Sequence, residues 1–376
     1  MTSELSSLCS YAKGKVSVDT LSKRNYVSTE NMMPNKGGIV DAGALPSAQY
    51  TQQYIKDDIL VSNIRPYFKK IWMADDDGGC SNDVLVFRAD RGCDSTFLYY
   101  ILANDAFFNY ASATSKGTKM PRGDKTAIMQ YKVPCFNYET QLRIGKLLRS
   151  IDDRIAVNKK INDNLQQQAF SVFDNLIANA ENNDYTVSDY AFLNPKRRLA
   201  KNQVARSIDM SQLSTRGAFP SSWEIKPFNG GMRFTNGDTL LARITPCLEN
   251  GKTAFIDFLD DGEVAFGSTE YIVLAPKNDT PPEMLYCLAR YPAFVDYAVK
   301  NMNGSSGRQR VSAETVGQYR LPLFDKHSLV LFKEVVSPMF LKMRYNFLEN
   351  MRLAELRDAL LPKLMSGEID VSAVQL

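Results

Sequence analysis

Residues 148–165, LRSIDDRIAVNKKINDNL, decide how this chain of 376 residues is built. They lie in a stretch from Glu139 to about Ile177 that contains no proline. Apolar residues and two asparagines recur there at alternating steps of four and three, the spacing of a coiled-coil seam. A helix from Glu139 to Ile177 would extend about 58 Å, and this length predicts a spacer helix. The seam consists of Ile144, Leu148, Ile151, Ile155, Asn158, Asn162, Leu165, Ala169, Val172 and Leu176.

A second seam follows the first at an offset of 188 residues. Arg357 is an outlier in it, and Pro338 and Pro362 are predicted to fray its ends, because proline cannot donate a helical hydrogen bond. The alternative interpretation is a pair of long amphipathic helices, each packed on its own domain. The second seam consists of Phe332, Val336, Met339, Met343, Asn346, Asn350, Leu353, Arg357, Leu360 and Leu364.

Both seams carry two asparagines at matching central positions. A buried polar residue in a seam costs stability and can specify the register of pairing. If the two helices pair antiparallel, Asn158 is predicted to hydrogen-bond Asn350, and Asn162 to hydrogen-bond Asn346. A chain cut after about Ala180 is expected to dimerise through the first seam alone.

The regions that precede the two seams also repeat each other. Residues 58–66 (DILVSNIRP) align with residues 238–246 (DTLLARITP), and residues 130–134 (QYKVP) align with residues 318–322 (QYRLP). The offset drifts only from 180 to 188, as loop insertions would produce. The chain is therefore interpreted as one unit of about 185 residues written twice.

Each copy begins with short apolar runs typical of strands, followed by a helical stretch and then by the long helix. We predict an α+β fold with an internal pseudo-two-fold repeat, in which two globular domains alternate with two long helices that pair as an antiparallel coiled coil. The predicted boundaries are 1–138 for the first globule, 139–180 for the first long helix, 181–322 for the second globule and 323–376 for the second long helix.

Composition excludes several classes of function. The net charge is +3, from 45 Lys and Arg against 42 Asp and Glu, so nucleic-acid contacts must come from local patches. A single histidine, His327, excludes histidine-based triads and zinc sites with two imidazoles. Six cysteines without a C-x-x-C pair predict neither a zinc ribbon nor a disulfide framework. Without an apolar run of membrane-spanning length, we expect a cytoplasmic protein and no membrane partner.

Basic and polar residues cluster in two segments of each copy, at the turn around the end of the repeated motif 58–66 or 238–246 and in the loops 115–125 and 303–310. Such side chains grip phosphates, and Arg and Gln also read base edges. The alternative is ordinary solvated loops. The candidate DNA contacts are Asn63, Arg65, Lys69, Lys70, Lys116, Thr118, Lys119 and Arg122 in the first copy, and Arg243, Asn250, Lys252, Ser305, Ser306, Arg308, Gln309 and Arg310 in the second.

Catalytic motifs are weak. Glu224 and Lys226, with Asp209 upstream, outline a metal-dependent nuclease, but such a triplet is expected about once by chance and has no counterpart in the first copy. Residues 250–253 (NGKT) end like a phosphate-binding loop, but Pro246 stands where that loop requires glycine. We therefore predict no catalytic residues and no metal site on this chain.

In residues 148–165 and in the ending LRDALLPKLMSGEI (356–369), the chain resembles the specificity subunits of Type I restriction-modification systems. The resemblance extends over essentially the whole chain, although the opening segment of the first globule looks short. It implies that each globule is a target recognition domain for one half of a split double-stranded DNA sequence, and that the paired helices set the gap between the halves.

The resemblance also implies partners. Two methyltransferase subunits would carry S-adenosylmethionine, and restriction subunits would use ATP and Mg²⁺, leaving no cofactor on this chain. Rival interpretations are a stand-alone duplicated DNA-binding regulator and, third, a metal-dependent nuclease. Apolar residues that lie off the seams favour a scaffold on which partner helices dock. They are Leu147, Ile161, Phe170, Phe173, Phe340, Phe347 and Leu361.

Overall fold

The computed structural model describes residues 2–180, 184–305 and 307–371. The chain divides into two compact units, each containing one globule and part of both long helices. Unit 1 comprises the residues up to Arg154 together with those from Leu353 onward, and unit 2 comprises Ile155–Arg352. The predicted boundaries at 139 and 323 make each long helix a separate segment. In the structure, by contrast, each long helix is divided between the two compact units. No helix in the described part of the chain is long and apolar enough to cross a bilayer.

The globule of unit 1 is built from two four-stranded sheets, a short terminal ribbon and three helices. The sheets have the strand orders β2-β9-β6-β7 and β3-β5-β8-β4, and β1 pairs with β10. The strands are β1 (Thr2–Glu4), β2 (Cys9–Tyr11), β3 (Lys15–Ser17), β4 (Tyr26–Val27), β5 (Tyr50–Tyr54), β6 (Ile59–Ser62), β7 (Ile71–Met73), β8 (Gly78–Cys80), β9 (Val84–Ala89) and β10 (Lys132–Pro134). The helices are α1 (Ser95–Ala103), α2 (Asp105–Ala113) and α3 (Lys125–Met129), followed by the long helix α4 (Tyr138–Ala178).

Strands β6 and β9 are apolar on both faces because both faces are covered. Ile59 and Phe87 join the core formed with the helices, whereas Leu60 and Val86 join a second core against the other sheet. The helical stretch is broken at Asn104, which ends α1 and caps α2 by accepting a hydrogen bond from the Ala106 amide. The result is a layered globule in which one sheet separates two apolar cores.

The globule of unit 2 repeats this plan. Its sheets have the orders β12-β19-β16-β17 and β14-β13-β18-β15, and β11 pairs with β20. The strands are β11 (Tyr185–Thr186), β12 (Ala191–Leu193), β13 (Val204–Ile208), β14 (Glu224–Pro227), β15 (Met232–Phe234), β16 (Thr239–Ala242), β17 (Thr253–Phe255), β18 (Ala265–Gly267), β19 (Tyr271–Pro276) and β20 (Arg320–Leu321). The helices are α5 (Val187–Tyr190), α6 (Pro282–Arg290), α7 (Pro292–Lys300) and α8 (Ala313–Gly317), followed by the long helix α9 (Lys326–Ser366).

The two copies differ at the edges of their second sheets. In unit 1 the extra strand β3 pairs with β5, which is antiparallel to β8. In unit 2 the extra strand β14 instead pairs with β13, which is parallel to β18. The shared three-stranded centre is therefore extended on opposite edges in the two globules.

The long helices run antiparallel, as the seams predict. In unit 2 the amide nitrogen of Asn158 donates to Oδ1 of Asn350 at 3.0 Å, and that of Asn346 donates to Oδ1 of Asn162 at 2.8 Å. Asn158 also donates to a carboxylate oxygen of Glu349 at 2.7 Å. These asparagine pairs are the ones expected from the two seams.

Two details of the helix predictions were wrong. Helix α9 continues through Pro338 and Pro362 without fraying, and both prolines lie on its exposed side. It ends at Ser366, and Ile369 and Val371 then pack against the core of unit 1. The long helices also contribute Leu148 and Phe332 to the cores of their units, so the alternative of helices packed on their own domains is partly correct.

Candidate nucleic-acid interface

In unit 1 the fold brings together the two predicted basic segments, which lie about fifty residues apart in the sequence. The backbone amide of Arg65 donates to the carbonyl of Pro121 at 2.8 Å. The amide of Gly123 donates to the carbonyl of Asn63 at 3.1 Å. The turn after β6 and the loop before α3 therefore form one surface.

The loop before α3 is a small hairpin. Two backbone hydrogen bonds of 2.8 and 2.9 Å join Lys116 to Arg122, leaving an exposed tip that contains Thr118 and Lys119. Asp124 closes the loop, because its side chain caps the N-terminus of α3 and forms an ion pair with Lys116 at 2.5 Å.

Unit 2 joins its equivalent segments by the same backbone contacts. The amide of Thr245 donates to the carbonyl of Gln309 at 3.1 Å, and that of Val311 donates to the carbonyl of Arg243 at 3.0 Å. Asn303 and Arg310 exchange two backbone hydrogen bonds of 2.9 Å. The tip of this loop exposes Ser305 and Arg308, whereas Ser306 lies outside the described residues.

An arginine anchors each loop to the acidic residue at the end of a neighbouring turn. Arg122 lies 3.1 Å from a carboxylate oxygen of Asp83, and Arg310 lies 2.8 Å from one of Glu270. The guanidinium of Arg310 donates through two nitrogens and holds the pKa of Glu270 below its usual value. These arginines are among the predicted DNA contacts, and in the structure their guanidinium groups also hold the loops in place.

Several of the other predicted contacts are also engaged within the protein. Lys69 pairs with Asp105 at 2.8 Å, lowering the pKa of that carboxyl group together with Lys36. Lys70 donates to the carbonyl of Thr29 at 2.6 Å, and its partial burial lowers its pKa. Lys252 donates to the carbonyl of Met210 at 2.7 Å. These lysines keep positive charge near the surface while holding their loops in place.

The remaining candidates differ in exposure. Asn63 is buried, and its Oδ1 has no hydrogen-bond partner among the described residues, so it is poorly placed for a direct base contact. Arg65 and Arg243 are half-buried, and their Nε atoms have no acceptor in the described part of the chain. Asn250 is exposed. The freest side chains for contacting DNA are therefore at the loop tips.

Sequence reasoning missed two aromatic residues at this surface. Tyr67 and Phe68 follow Arg65 in the first basic segment, and both are exposed. A difference between the copies could have revealed them, because the matching positions of the second copy, Cys247 and Leu248, are not aromatic.

The residues of the nuclease alternative do come together, but around a lysine. Lys226 lies 2.9 Å from a carboxylate oxygen of Asp209 and 3.2 Å from one of Glu224. The hydrogen bond with Asp209 contributes most to raising the pKa of Lys226, so the lysine stays charged and offsets one of the two carboxylates. Across the described residues, no group of three or more His, Cys, Asp or Glu side chains could hold a metal ion.

Four of the seven apolar residues off the seams, which were predicted to favour docking of partner helices, are covered within their own units. Phe173 and Phe340 are buried in the core of unit 2, and Leu361 is buried in that of unit 1. Phe347 stacks on Phe219 with ring centroids 5.0 Å apart. The seam pattern could not reveal that the globules cover these faces of the helices.

A different part of the helix pair is exposed. In unit 2, the end of α4 and the start of α9 line a groove of about 640 Å³. Val172 and Leu176 line it from α4, and Leu331 and Val335 line it from α9. Both α9 residues are exposed.

Comparisons with known proteins agree with this architecture. Residues 1–167 match the family model described as the Type I restriction modification DNA specificity domain. The EcoAI specificity subunit of Escherichia coli is 34% identical over 133 residues, covering 34% of this chain and 22% of that subunit. The HindI specificity subunit of Haemophilus influenzae is 22% identical, with 92% of this chain and 94% of that subunit covered.

A solved structure shares the fold. The S subunit of a Type I restriction-modification system from M. genitalium superposes with a TM-score of 0.59 and 17% identity, covering 97% of this chain and 96% of that one. The alignments with the specificity subunits of EcoAI and EcoEI span only about a quarter of those proteins. The repeated globule-and-helix architecture agrees with these similarities to DNA specificity subunits. Residues 1–167 thus match a Type I restriction modification DNA specificity domain, and the second globule and long helix repeat the same architecture.

Proposed function

We propose that this chain recognises a bipartite sequence in double-stranded DNA, with one half read by each globule. The observation that carries the proposal is the joining of two separate basic segments into one surface in both copies. In unit 1 this joint is the hydrogen bond from Arg65 to Pro121, and in unit 2 it is that from Thr245 to Gln309. Both copies of the repeat therefore present a joined basic surface with the side-chain types that grip phosphates and read base edges.

The proposed division of labour follows from the side chains. Backbone phosphates would be held by the charged rims of each surface, and bases would be read by the exposed loop tips, including Lys119 and Arg308. Arg122 and Arg310 would act indirectly, because each is tied to an acidic residue. This chain would supply sequence choice and no catalysis.

The proposal includes partner subunits that carry the chemistry. Two methyltransferase subunits would bring S-adenosylmethionine, and restriction subunits would bring ATP and Mg²⁺. The groove lined by Leu331 and Val335 supports docking on the helix pair, because exposed apolar residues there have no cover within the described part of the chain. A Leu331→Asp, Val335→Asp double variant is expected to lose the methyltransferase subunit on purification, while Lys333→Asp, on the exposed side of the same helix, retains it.

Selection of duplexes from a randomised DNA pool tests the proposal. The full chain, purified with any protein that accompanies it, is expected to enrich two short fixed blocks separated by a gap of constant length. A stand-alone regulator would give the same enrichment without any accompanying protein. Enrichment of no sequence would contradict the proposal, and cleavage of the pool that is lost in Glu224→Gln would favour the nuclease.

A further inference from the structure

The turn that follows β6 presents two aromatic rings to solvent. Tyr67 is 52% exposed and Phe68 is 39% exposed, and their ring centroids lie 4.8 Å apart. Exposed aromatic side chains bury large areas when they find a partner, and their faces stack on other flat rings. A pair of them on one short turn is therefore a concentrated binding feature.

The turn holds this pair rigidly and at a conformational cost. Arg65 and Lys69, which flank it, have φ values of 50° and 51°, in the left-handed region that residues other than glycine seldom adopt. Strained backbone of this kind persists only where surrounding contacts enforce it, and it is concentrated at functional sites.

Three segments supply those contacts. The amide of Arg65 donates to the carbonyl of Pro121, and the amide of Asn35 donates to the carbonyl of Phe68, both at 2.8 Å. Lys69 forms an ion pair with Asp105 at the start of α2. The rings are thus fixed on a scaffold before any ligand arrives, which reduces the ordering cost of binding.

The second copy of the repeat shows that the fold does not require exposed rings here. At the matching turn, Cys247 replaces Tyr67, and Leu248, which replaces Phe68, is only 1% exposed. The equivalent turn of the second copy therefore buries its apolar residue in the core. Exposure of Tyr67 and Phe68 is a property that unit 1 adds to the shared plan.

The charges around the turn indicate what it contacts. Lys36, Arg65, Lys69 and Lys70 surround the rings, Asp105 pairs with two of these lysines, and Glu30 lies near Lys70. The turn also adjoins the loop whose tip carries Lys119. An apolar wedge with a basic rim matches DNA, where bases offer flat apolar faces within a frame of phosphates.

We propose that Tyr67 and Phe68 form a wedge that stacks against a base step of double-stranded DNA in the half-site read by the first globule. This inference rests on the proposed function and adds a contact that distinguishes the two half-sites. The first half-site would be partly unstacked on binding, whereas the second would not.

The test uses duplexes that the wild-type chain has enriched, with 2-aminopurine placed at successive positions of each half. The wild type is expected to raise the fluorescence at one step, within the half-site that also responds to Lys119→Ala. The Tyr67→Ala, Phe68→Ala double variant should abolish this rise and lower the affinity about tenfold. Tyr67→Trp should keep both properties, because its ring still stacks. Tyr50→Ala, which removes a ring of 54% exposure from the same globule, is the matched control and should change neither.

Each other outcome has a definite meaning. Unchanged affinity and fluorescence in the double variant would overturn the wedge while leaving the proposed function intact. Loss of an accompanying protein with unchanged DNA binding would overturn it in favour of a protein-docking turn. If the wild-type chain enriches no sequence at all, the proposed function fails, and the wedge fails with it.

Discussion

At equivalent positions of the repeat, unit 1 carries an ion pair where unit 2 carries an apolar contact. In unit 1, Arg357 lies 2.7 Å from one carboxylate oxygen of Asp152, and Tyr100 donates to the other at 2.6 Å. Burial raises the pKa of Tyr100, so its phenol remains protonated and can donate. Arg357 interrupts the apolar pattern of the predicted seam because its guanidinium forms an ion pair with Asp152 on the opposite helix.

In unit 2 the two corresponding positions are Phe340 and Ala169, and both residues are fully buried. Phe340 packs edge-on against Tyr286, with ring centroids 5.5 Å apart. The repeat has thus kept its backbone plan while changing which side chains close each end of the helix pair. The difference gives the two units distinct chemical preferences for their helical partner.

The largest expected effect concerns an aromatic cluster found only in the second copy. Phe347 stacks on Phe219 and packs edge-on against Phe258, whereas its counterpart in the first copy is the exposed Lys159. Phe347→Ala should lower the free energy of unfolding of unit 2 by about 2–3 kcal/mol, because a largely buried ring is removed. Lys159→Ala should change stability by less than about 0.5 kcal/mol. Hydrogen exchange in β16 under increasing urea would measure the change in unfolding free energy for both variants. Equal changes would contradict the proposed difference between the two copies.

The ion pair predicts a smaller and local loss. Arg357→Leu leaves Asp152 facing an apolar side chain, which should destabilise unit 1 by about 1–2 kcal/mol, since the pair is partly exposed. Exchange in α1 should accelerate while exchange in α6 stays unchanged. Adding Asp152→Leu and Tyr100→Phe removes the stranded polar groups and should restore most of the loss. A triple variant as unstable as the single variant would show that the charge itself was not responsible.

The ion pair of Arg357 with Asp152 also affects the dimer that is expected of a chain cut after Ala180. If two copies of α4 paired antiparallel about the two asparagines, Asp152 of each would face Ala169 of the other and lack Arg357. We therefore expect a chain cut after Ala180 to dimerise more strongly when Asp152 is replaced by Leu. Sedimentation of both half-chains would measure the difference, and equal association would show that the pair does not select the partner helix.

The smallest effect concerns the asparagine layer, which the two copies share. Neither Asn158 nor Asn346 has a partner for its Oδ1 among the described residues, so the layer is incompletely satisfied. Asn346→Leu alone should cost about 1 kcal/mol, because it removes the amide that donates to Asn162. Adding Asn162→Leu should raise the melting temperature above that of Asn346→Leu but weaken the choice of register. A double variant that melts below the single variant would contradict this account.

The sequence was sufficient where a pattern depends on periodicity. Seam spacing predicted both long helices and the pairing of Asn158 with Asn350, because heptad positions translate directly into facing residues. The repeat offset predicted equivalent strands, of which β6 and β16 are the clearest examples. These features follow from local spacing and from symmetry.

Features that depend on contacts between distant segments could not be predicted. The ion pair of Arg310 with Glu270 requires knowing that a loop folds back over a strand forty residues earlier. The burial of Phe347 requires knowing that residues 219–223 cross the helix, although this segment has no aromatic counterpart in the first copy. Composition identified the basic loops, but only the fold separates the exposed tips from the residues that anchor them.

The central claim is that each globule reads its own half of one DNA sequence. Its most direct test compares duplex selection by the wild type, Lys119→Ala and Arg308→Ala, which alter one exposed loop tip in each globule. We predict that each variant changes the bases preferred in one block, and that the two variants affect different blocks. A lost base contact should reduce discrimination by about 1–3 kcal/mol in that block alone. If either variant relaxed both blocks together, the two globules would not be independent readers, and the account would be contradicted.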